Sequence, residues 1–301
     1  MGGDRGSKSA IGQPKCLLCG CNATFEFSKH EHGYYRCPCG FVFIWPRPSD
    51  EQLWKIYQSD GENYWTTETM VKFAFSPTKS LREIMFLRQF ASSGSLLDIG
   101  CSTGSFVKAA IASGFRAEGI DICRPAVEIG VKLGLPLRVC DVLREDIEMR
   151  YDIVTLWATL EHLPDPRGTL QQVSALLRPA GLLLISVPNY VSLTQRVLKR
   201  WYRYVCSEHL NYFTPKVLMK AMESSGFDPV GQTTFGFNPL LIAKDLANRG
   251  QELNACERMA TDEAQTLRLK ESPLGHFQRA AEKVLNVFVA GDVLAAAAIK
   301  P

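Results

Sequence analysis

The stretch LLDIGCSTGSF, residues 96–106, decides the fold. The apolar residues on either side of Asp98 predict a short buried strand of a parallel sheet, and apolar residues with helical spacing begin at Phe106. Gly100 and Gly104 therefore fall in a strand-to-helix turn, where the missing side chains let the backbone approach a ligand closely. Because open α/β sheets bind ligands at the carboxyl ends of their strands, we interpret this stretch as a cofactor loop.

Strand and helix patterns alternate from Ser95 onward, which is typical of a doubly wound α/β sheet. Helices are predicted to begin near Phe106, at Arg124, near Gly168 and at Thr214. The predicted strands are, in chain order, LLDIG, FRAEGID, LPLRVCD, YDIVTLW, AGLLLISVPN, FDPVGQTTF and GDVLAAAAIKP. The last of these strands is expected to run antiparallel to the others.

Composition divides the chain into zones. We expect a disordered tail over residues 1–14, a cysteine-rich module over 15–48, a helical linker or lid over 49–93, and an α/β domain over 94–301 with helical insertions at about 189–213 and 238–290. The first zone has no apolar core, so it is not expected to act as a secretory signal.

The bulk composition is that of an ordinary globular protein, with 46% hydrophobic and 22% charged residues. No apolar run approaches the roughly 20 residues that a membrane helix needs, so no membrane partner is expected. A net charge of +3 is too small to indicate a nucleic-acid partner by itself. The chain has ten cysteines, but no secretory signal is predicted, so we do not expect a disulfide-bonded scaffold. The expected compartment is the cytoplasm.

Carboxylates at strand ends narrow the class of cofactor. Asp121 ends the second strand, 21 residues after Gly100, where a carboxylate can accept both hydroxyls of an adenosine ribose. A nicotinamide dinucleotide also requires G-x-G-x-x-G for its pyrophosphate, and this loop, G-C-S-T-G, has no third glycine in register. Asp98 is a poor neighbour for a phosphate but suits an ammonium group. A sulfonium cofactor with an amino-acid tail therefore fits better than a dinucleotide.

Five ordered segments carry a resemblance to a known family. LLDIGCSTGSF, EGIDI, CDV, YDIVTLWATLEHLPDP and LRPAGLLLISVPN resemble the motif series of class I S-adenosylmethionine-dependent methyltransferases, over about residues 94–301. This resemblance implies a Rossmann-like seven-stranded sheet of order 3-2-1-4-5-7-6 with the seventh strand antiparallel.

The resemblance also implies a cofactor-binding set. The loop would line the methionine portion, the second strand end would hold the ribose, the third would flank the adenine, and the fourth would approach the sulfonium. The residues are Asp98, Gly100, Cys101, Ser102, Thr103, Gly104, Asp121, Ile122, Asp141, Val142, Trp157 and Ala158.

Four cysteines in two knuckles predict a structural zinc site, because thiolates at this kind of spacing close a tetrahedral shell. They are Cys16, Cys19, Cys37 and Cys39. With YYRCPCGFVFIWPRPSDEQLWKIY, this region resembles the zinc ribbon that precedes many bacterial small-molecule and sugar methyltransferases. The family usually has CxxC at the second knuckle, whereas this chain has CxC. Three other side chains are therefore open as replacement ligands: Cys21, His30 and His32.

Two histidines follow strands whose ends face the expected methyl group, in LEHLPDP and SEHLNYFTP. A hydroxyl acceptor needs a base with a pKa near the working pH, which favours histidine. We predict His209 as the general base, with a structural histidine as the competing interpretation. Glu161 and His162 are predicted to shape the pocket, and three roles stay open for them: orienting the cofactor, binding the acceptor, or ligating a divalent ion. A hydrogen bond that only fixes the loop is the competing interpretation.

These features predict a methyltransferase acting on a small molecule, most simply a sugar or nucleotide-sugar hydroxyl or carbon. The alternative is an RNA methyltransferase, since a zinc ribbon precedes this fold there too, but the weak net charge offers little affinity for phosphate. A non-enzymatic binding module is a third interpretation, and the intact series of acidic strand ends argues against it.

Overall fold

The computed structural model describes residues 13–29, 32–49, 51–52, 75, 80–145, 147–247, 261, 265, 269 and 274–301. Residues 1–12 of the predicted tail and most of the predicted linker over 49–93 lie outside the described residues, as does His30. At the start of that linker Ser49 and Gln52 form a reciprocal capping pair. The Ser49 hydroxyl accepts from the Gln52 backbone amide at 3.2 Å, and the Gln52 carboxamide oxygen accepts from the Ser49 backbone amide at 2.8 Å.

The central sheet has seven strands. They are β4 (Ser95–Ile99), β5 (Arg116–Asp121), β6 (Leu137–Val139), β7 (Tyr151–Trp157), β8 (Leu177–Pro188), β10 (Asp228–Phe235) and β11 (Val293–Ile299). Their order is β10-β11-β8-β7-β4-β5-β6, and β11 runs antiparallel to both of its neighbours. The predicted 3-2-1-4-5-7-6 order and the antiparallel last strand are therefore confirmed.

The described helices are α1 (Leu81–Leu87), α2 (Ser105–Ala112), α3 (Arg124–Lys132), α4 (Pro166–Leu176), α5 (Leu193–Leu198), α6 (Pro215–Ser224), α7 (Pro239–Ala247) and α8 (Leu274–Val287). Starts were predicted for four of them, and α2, α3, α4 and α6 begin within two residues of the predicted positions. Asp165 and Thr214 cap α4 and α6 by accepting hydrogen bonds from backbone amides in the first turn. These caps fix where the chain turns away from the edge of the sheet.

A second sheet has four antiparallel strands and was not predicted. It contains β1 (Thr24–Lys29), β2 (His32–Arg36) and β3 (Val42–Trp45) from the N-terminal module, followed by β9 (Asn211–Tyr212). The β3 and β9 strands pair through Val42 with Tyr212 and through Phe43 with Asn211. The N-terminal module is thus joined by backbone pairing to the segment that carries His209.

The two sheets also share apolar packing. Cys16, Cys37 and Phe43 belong to the same buried cluster as Ile99 of the central sheet and Val217 of α6. Burial of this common surface is what holds the small module in place, because so short a segment cannot bury enough area alone.

Candidate active site

The loop after β4 forms a backbone cradle. Gly100 and Gly104 have φ angles of +76° and +81°, which L side chains adopt only with strain. A Cβ added at Gly100 would lie 2.4 Å from Thr159 Oγ1, and one at Gly104 would lie 2.7 Å from Leu137 Cδ1. Both positions therefore require glycine, and the peptide groups between them are the surface that a ligand can meet.

Asp121 ties this loop to the end of β5. Its Oδ2 accepts a hydrogen bond from the Ser102 amide, and its Oδ1 accepts one from the Cys123 amide, each at 2.8 Å. Burial raises the pKa of the carboxyl, and the two amides oppose that shift by favouring the charged form. The side chain is therefore fixed in orientation beside the glycine cradle, where its remaining lone pairs can accept hydroxyl groups.

Asp98 lies on the buried side of the same loop and is only 3% exposed. Thr155 Oγ1 donates to its Oδ1 at 2.7 Å. Burial raises the pKa of this carboxyl to about 8, and the nearby charges of Asp121 and Glu83 act in the same direction. A cationic group of a ligand would offset that cost, so Asp98 is suited to an ammonium group.

The other loop residues are closely packed. Cys101 and Thr103 are buried, and burial raises the pKa of the Cys101 thiol well above its usual range. The thiol is therefore a small filler rather than a nucleophile. Ile122 is half-buried directly after Asp121.

The ends of β6 and β7 complete the edge. Asp141 follows β6 and accepts from the Leu143 amide at 2.9 Å, with Val142 buried beside it. Trp157 ends β7 and packs edge-on against the Phe106 ring, with the ring centroids 5.2 Å apart. Ala158 follows with a φ angle of +50°.

The three predicted catalytic side chains come together. The candidate ligand atoms of Glu161, His162 and His209 all lie within 4.8 Å of one another, and the two imidazole rings meet edge to face with centroids 4.7 Å apart. His162 Nδ1 lies 2.9 Å from the carbonyl of Glu208, and His209 Nδ1 lies 2.9 Å from the carbonyl of Tyr204. A carbonyl only accepts, so Nδ1 carries the proton in both rings and Nε2 is the basic nitrogen.

Glu161 is the least exposed member of this cluster, at 1%. Its Oε1 lies 3.9 Å from His162 Nε2. Among the residues that the structure describes, its Oε2 has no hydrogen-bond partner although it is buried. Burial raises the pKa of this carboxyl to about 8. The cluster therefore joins a readily protonated carboxyl to two imidazoles, a set that can move a proton or hold a divalent cation.

The cysteine cluster has the geometry of a tetrahedral metal site. The sulfurs of Cys16 and Cys39 are 3.8 Å apart and those of Cys19 and Cys37 are 3.4 Å apart, and all four lie within 4.8 Å of one another. A tetrahedral ion with metal–sulfur bonds of about 2.3 Å requires sulfurs about 3.8 Å apart. The shortened CxC knuckle therefore still brings both of its thiols to the cluster.

None of the replacement ligands that the structure describes belongs to that cluster. Cys21 is exposed and lies outside the group of four, and His32 lies in β2. Burial opposes ionisation of Cys19, but a hydrogen bond from the Cys21 backbone amide and bonds from neighbouring thiols outweigh it and lower its pKa to about 7. A partly ionised thiol favours capture of a soft cation.

A family model describing a methyltransferase domain matches residues 71–232, which is more than half of the chain. The chain belongs to the methyltransferase-domain family. Two curated relatives are named ubiquinone biosynthesis O-methyltransferase. The Bordetella avium protein is 25% identical over 160 residues, 48% of this chain and 66% of that protein. The Haemophilus ducreyi protein is 31% identical over 134 residues, 40% of this chain and 54% of that protein.

This methyltransferase-family chain thus spans about half to two thirds of the length of those relatives. Among solved structures it is similar to Haemonchus contortus phosphoethanolamine N-methyltransferase 2 in complex with S-adenosyl-L-methionine. The TM-score is 0.53 at 17% identity, covering 86% of this chain and 62% of that one. At this identity the likeness shows the fold. No helix within the described part of the chain is long and apolar enough to cross a membrane.

Sequence reasoning missed the residues that support the site from other elements. Thr155 holds Asp98, Thr159 fills the space opposite Gly100, and Asn211 donates to the Leu160 and Leu163 carbonyls at 3.1 and 2.7 Å. Thr155 and Thr159 both lie within the YDIVTLWATLEH stretch, where a buried hydroxyl between apolar residues is a usable signal. Asn211 gave no such signal, because its partners are about 50 residues away in the chain.

Proposed function

We propose that this chain transfers a methyl group from S-adenosylmethionine to a small-molecule acceptor. The observation that carries the proposal is the Asp121 carboxylate, held by the amides of Ser102 and Cys123 beside a loop whose two glycines leave no room for a Cβ. Membership of the methyltransferase-domain family supports the same cofactor.

The residues present fit that cofactor in chemistry. Asp121 and Ile122 would hold the ribose, the loop from Gly100 to Gly104 with Asp98 would hold the amino-acid portion, Asp141 and Val142 would flank the adenine, and Trp157 and Ala158 would lie towards the sulfonium. When bound, the cofactor supplies an electrophilic methyl group attached to a positively charged sulfonium sulfur. Asp98 supplies the counter-charge for the ammonium group in a site where no other cation pairs with it among the described residues.

His209 is proposed as the general base. Because its Nδ1 donates to the Tyr204 carbonyl, its Nε2 is the atom that takes the proton of an acceptor hydroxyl, which leaves the oxygen as the nucleophile. The ring is only 7% exposed and packs against Tyr204 and His162, so its orientation is fixed. Alignment of nucleophile and methyl group is the main requirement of such a displacement.

Glu161 and His162 are proposed to shape the acceptor pocket beside that base. An ionised Glu161 stabilises the protonated imidazole, and burial makes this carboxyl sensitive to pH near neutrality. The same three side chains also have the composition of a divalent-cation site, so metal dependence of turnover separates the two roles.

The acceptor is proposed to be a sugar or nucleotide-sugar hydroxyl, with carbon methylation as the variant of the same proposal. The names of the curated relatives favour oxygen. The four cysteines are proposed to hold one zinc ion in a structural role: Cys16, Cys19, Cys37 and Cys39.

An RNA acceptor is the second candidate, and the cysteine cluster is the observation that favours it. The experiment is transfer of a radiolabelled methyl group to nucleotide sugars, small phenols and total RNA in parallel. We expect label in a small molecule. Label in RNA, together with salt-sensitive RNA retention, would replace the small-molecule acceptor and leave the cofactor assignment intact.

A further inference from the structure

The turn that carries Glu161 and His162 is held from outside the central sheet. Asn211, in β9, is 1% exposed, and its side-chain amide donates to the carbonyls of Leu160 and Leu163 at 3.1 and 2.7 Å. The backbone amides of Leu210 and Asn211 both donate to the Glu161 carbonyl, at 2.8 and 3.0 Å. These bonds fix the backbone immediately on both sides of Glu161.

Asn211 is in turn held by the N-terminal module. Its Oδ1 accepts from Arg47 Nη2 at 2.6 Å, and the guanidinium lies over the Phe43 ring, 5.9 Å from its centroid. The Ile44 amide donates to the Leu210 carbonyl at 3.2 Å. Both hydrogen-bonding ends of the Asn211 side chain are therefore used, one by the module and the other by the active-site turn.

The guanidinium of Arg47 is largely removed from solvent, which is unfavourable for a cation. Burial lowers its pKa to about 10, and the charge of Asp165 opposes that shift. Among the described residues, its Nε and Nη1 have no hydrogen-bond partner although both are buried. A buried guanidinium with so few bonds costs stability, and its hydrogen bond to Asn211 is the contact that links it to the turn of Glu161.

We propose that Arg47 and Asn211 are positioning residues through which the folded cysteine module sets the geometry of Glu161 and His162. The chain of contacts runs from the knuckle of Cys37, through β3 and Arg47, to Asn211 and the carbonyls of the turn. Loss of the zinc ion proposed for the cysteine cluster would loosen the knuckle that precedes β3, and the turn would then lose part of the support that Arg47 and Asn211 give it. This inference concerns the positions of Glu161 and His162. An effect on turnover would follow only if the turn has the catalytic role proposed above.

The test is the imidazole NMR spectrum of the full-length protein labelled at histidine. Signals of His162 and His209 are assigned with His162→Gln and His209→Gln. We expect both signals to move by more than their linewidth in Asn211→Ala, in Arg47→Ala, and after zinc is removed with a chelator. The His276 signal, from α8, should stay in place.

Three controls make the result decisive. Asn189→Ala removes another buried asparagine whose amide donates to two carbonyls, those of Val289 and Gly291. It should lower the melting temperature without moving the two histidine signals. Arg47→Lys keeps one donor for Asn211 and should restore much of the wild-type spectrum. In the zinc-free protein, Asn211→Ala should add little further change.

Unmoved His162 and His209 signals in folded Asn211→Ala or in folded zinc-free protein would overturn the inference. Equal movement in Asn189→Ala would do so too, because the effect would then be general destabilisation. Binding of S-adenosylhomocysteine should weaken less in Asn211→Ala than in Asp121→Ala, since Asp121 lies on a different strand end. No binding by the wild type would instead count against the proposed function and leave the histidine result to stand alone.

Discussion

Two carboxyl groups at the cofactor loop differ in how the fold treats them. Asp121 accepts hydrogen bonds from the backbone amides of Ser102 and Cys123. Asp98 is buried and, among the described residues, accepts a hydrogen bond from the Thr155 hydroxyl. Hydrogen bonds from amides favour the charged form, and burial without a cation disfavours it. At the scale of single residues, the first carboxyl is prepared for hydroxyl groups and the second for a positive charge.

Replacing Asp121 should weaken cofactor binding. Asp121→Ala removes a charge-assisted acceptor pair, a loss of about 1.5–3 kcal/mol, or roughly ten- to a hundredfold in the dissociation constant of S-adenosylhomocysteine measured by calorimetry. The matched control is Asp228→Ala, at an exposed carboxylate that begins β10. Unchanged affinity in the Asp121 variant would remove the ribose anchor from the account.

Replacing Asp98 should change how stability depends on pH. The pKa of this carboxyl is about 8 in the fold against 3.8 ordinarily, so between those values the unfolded chain has released a proton that the folded chain keeps. Stability of the cofactor-free protein therefore falls as pH rises through this window, by at most about 1.4 kcal/mol per pH unit. Asp98→Asn should remove that contribution.

Urea unfolding at pH 5 and pH 8.5 measures the effect. The free energy of unfolding of Asp98→Asn, relative to wild type, should rise between the two pH values, while that of Asp228→Asn should not. Glu161 has a similar shift, but it is present in both proteins and cancels in the difference. A constant offset at both pH values would mean that Asp98 is ionised in the fold.

At the scale of elements, the proposed catalytic cluster is built by two connections. The turn after β7 carries Glu161 and His162, and the segment between β8 and α6 brings His209 over them. Both follow strands that end at the same edge of the sheet. This is why the sequence placed all three residues at one edge, although it gave no distances.

Losing His209 should lower turnover while leaving cofactor binding nearly intact. A general base typically contributes 10²–10⁴-fold in rate, so we expect His209→Ala to reduce kcat by about that factor on a hydroxyl acceptor. His162→Ala should disturb both turnover and binding. Rates with and without added divalent cations separate the base from the metal role. Full activity of His209→Ala on the true acceptor would remove the base role.

The cysteine module should purify with about one zinc per chain. Cys37→Ser should lose the metal and lower the melting temperature, because binding of the ion supplies folding energy to a module this small. Cys21→Ser is the control and should keep the metal, since Cys21 is exposed outside the cluster. Metal retained by Cys37→Ser, or absent from wild type prepared without chelator, would contradict the site.

At the scale of the whole molecule, local patterns predicted the central sheet well. Each strand is a short apolar run with a turn at its end, so its position is visible along the chain, whereas the strand order and the antiparallel β11 were implied by the family resemblance. The four-stranded sheet was not predicted, because β3 and β9 pair across about 170 residues and β9 has only two residues. Supporting contacts such as that of Arg47 with Asn211 depend on this pairing, so they could not be predicted from the sequence either.

The cysteine cluster was also predicted only in part from the sequence. The two knuckles were readable from spacing, whereas the adequacy of CxC was not, because it depends on how β3 returns beside the first knuckle. The convergence of four sulfurs within 4.8 Å follows from the tertiary fold. The spacing of the cysteines therefore predicted which residues form the cluster, whereas the tertiary packing determines the distances between their sulfurs.

The most direct test of the central claim is calorimetric titration of the purified full chain with S-adenosylhomocysteine and, in parallel, with nicotinamide dinucleotide. The account predicts saturable binding of about one S-adenosylhomocysteine per chain, weakened in Asp121→Ala, and no binding of the dinucleotide. Failure of folded wild-type protein to bind S-adenosylhomocysteine, or binding of the dinucleotide in its place, would contradict it.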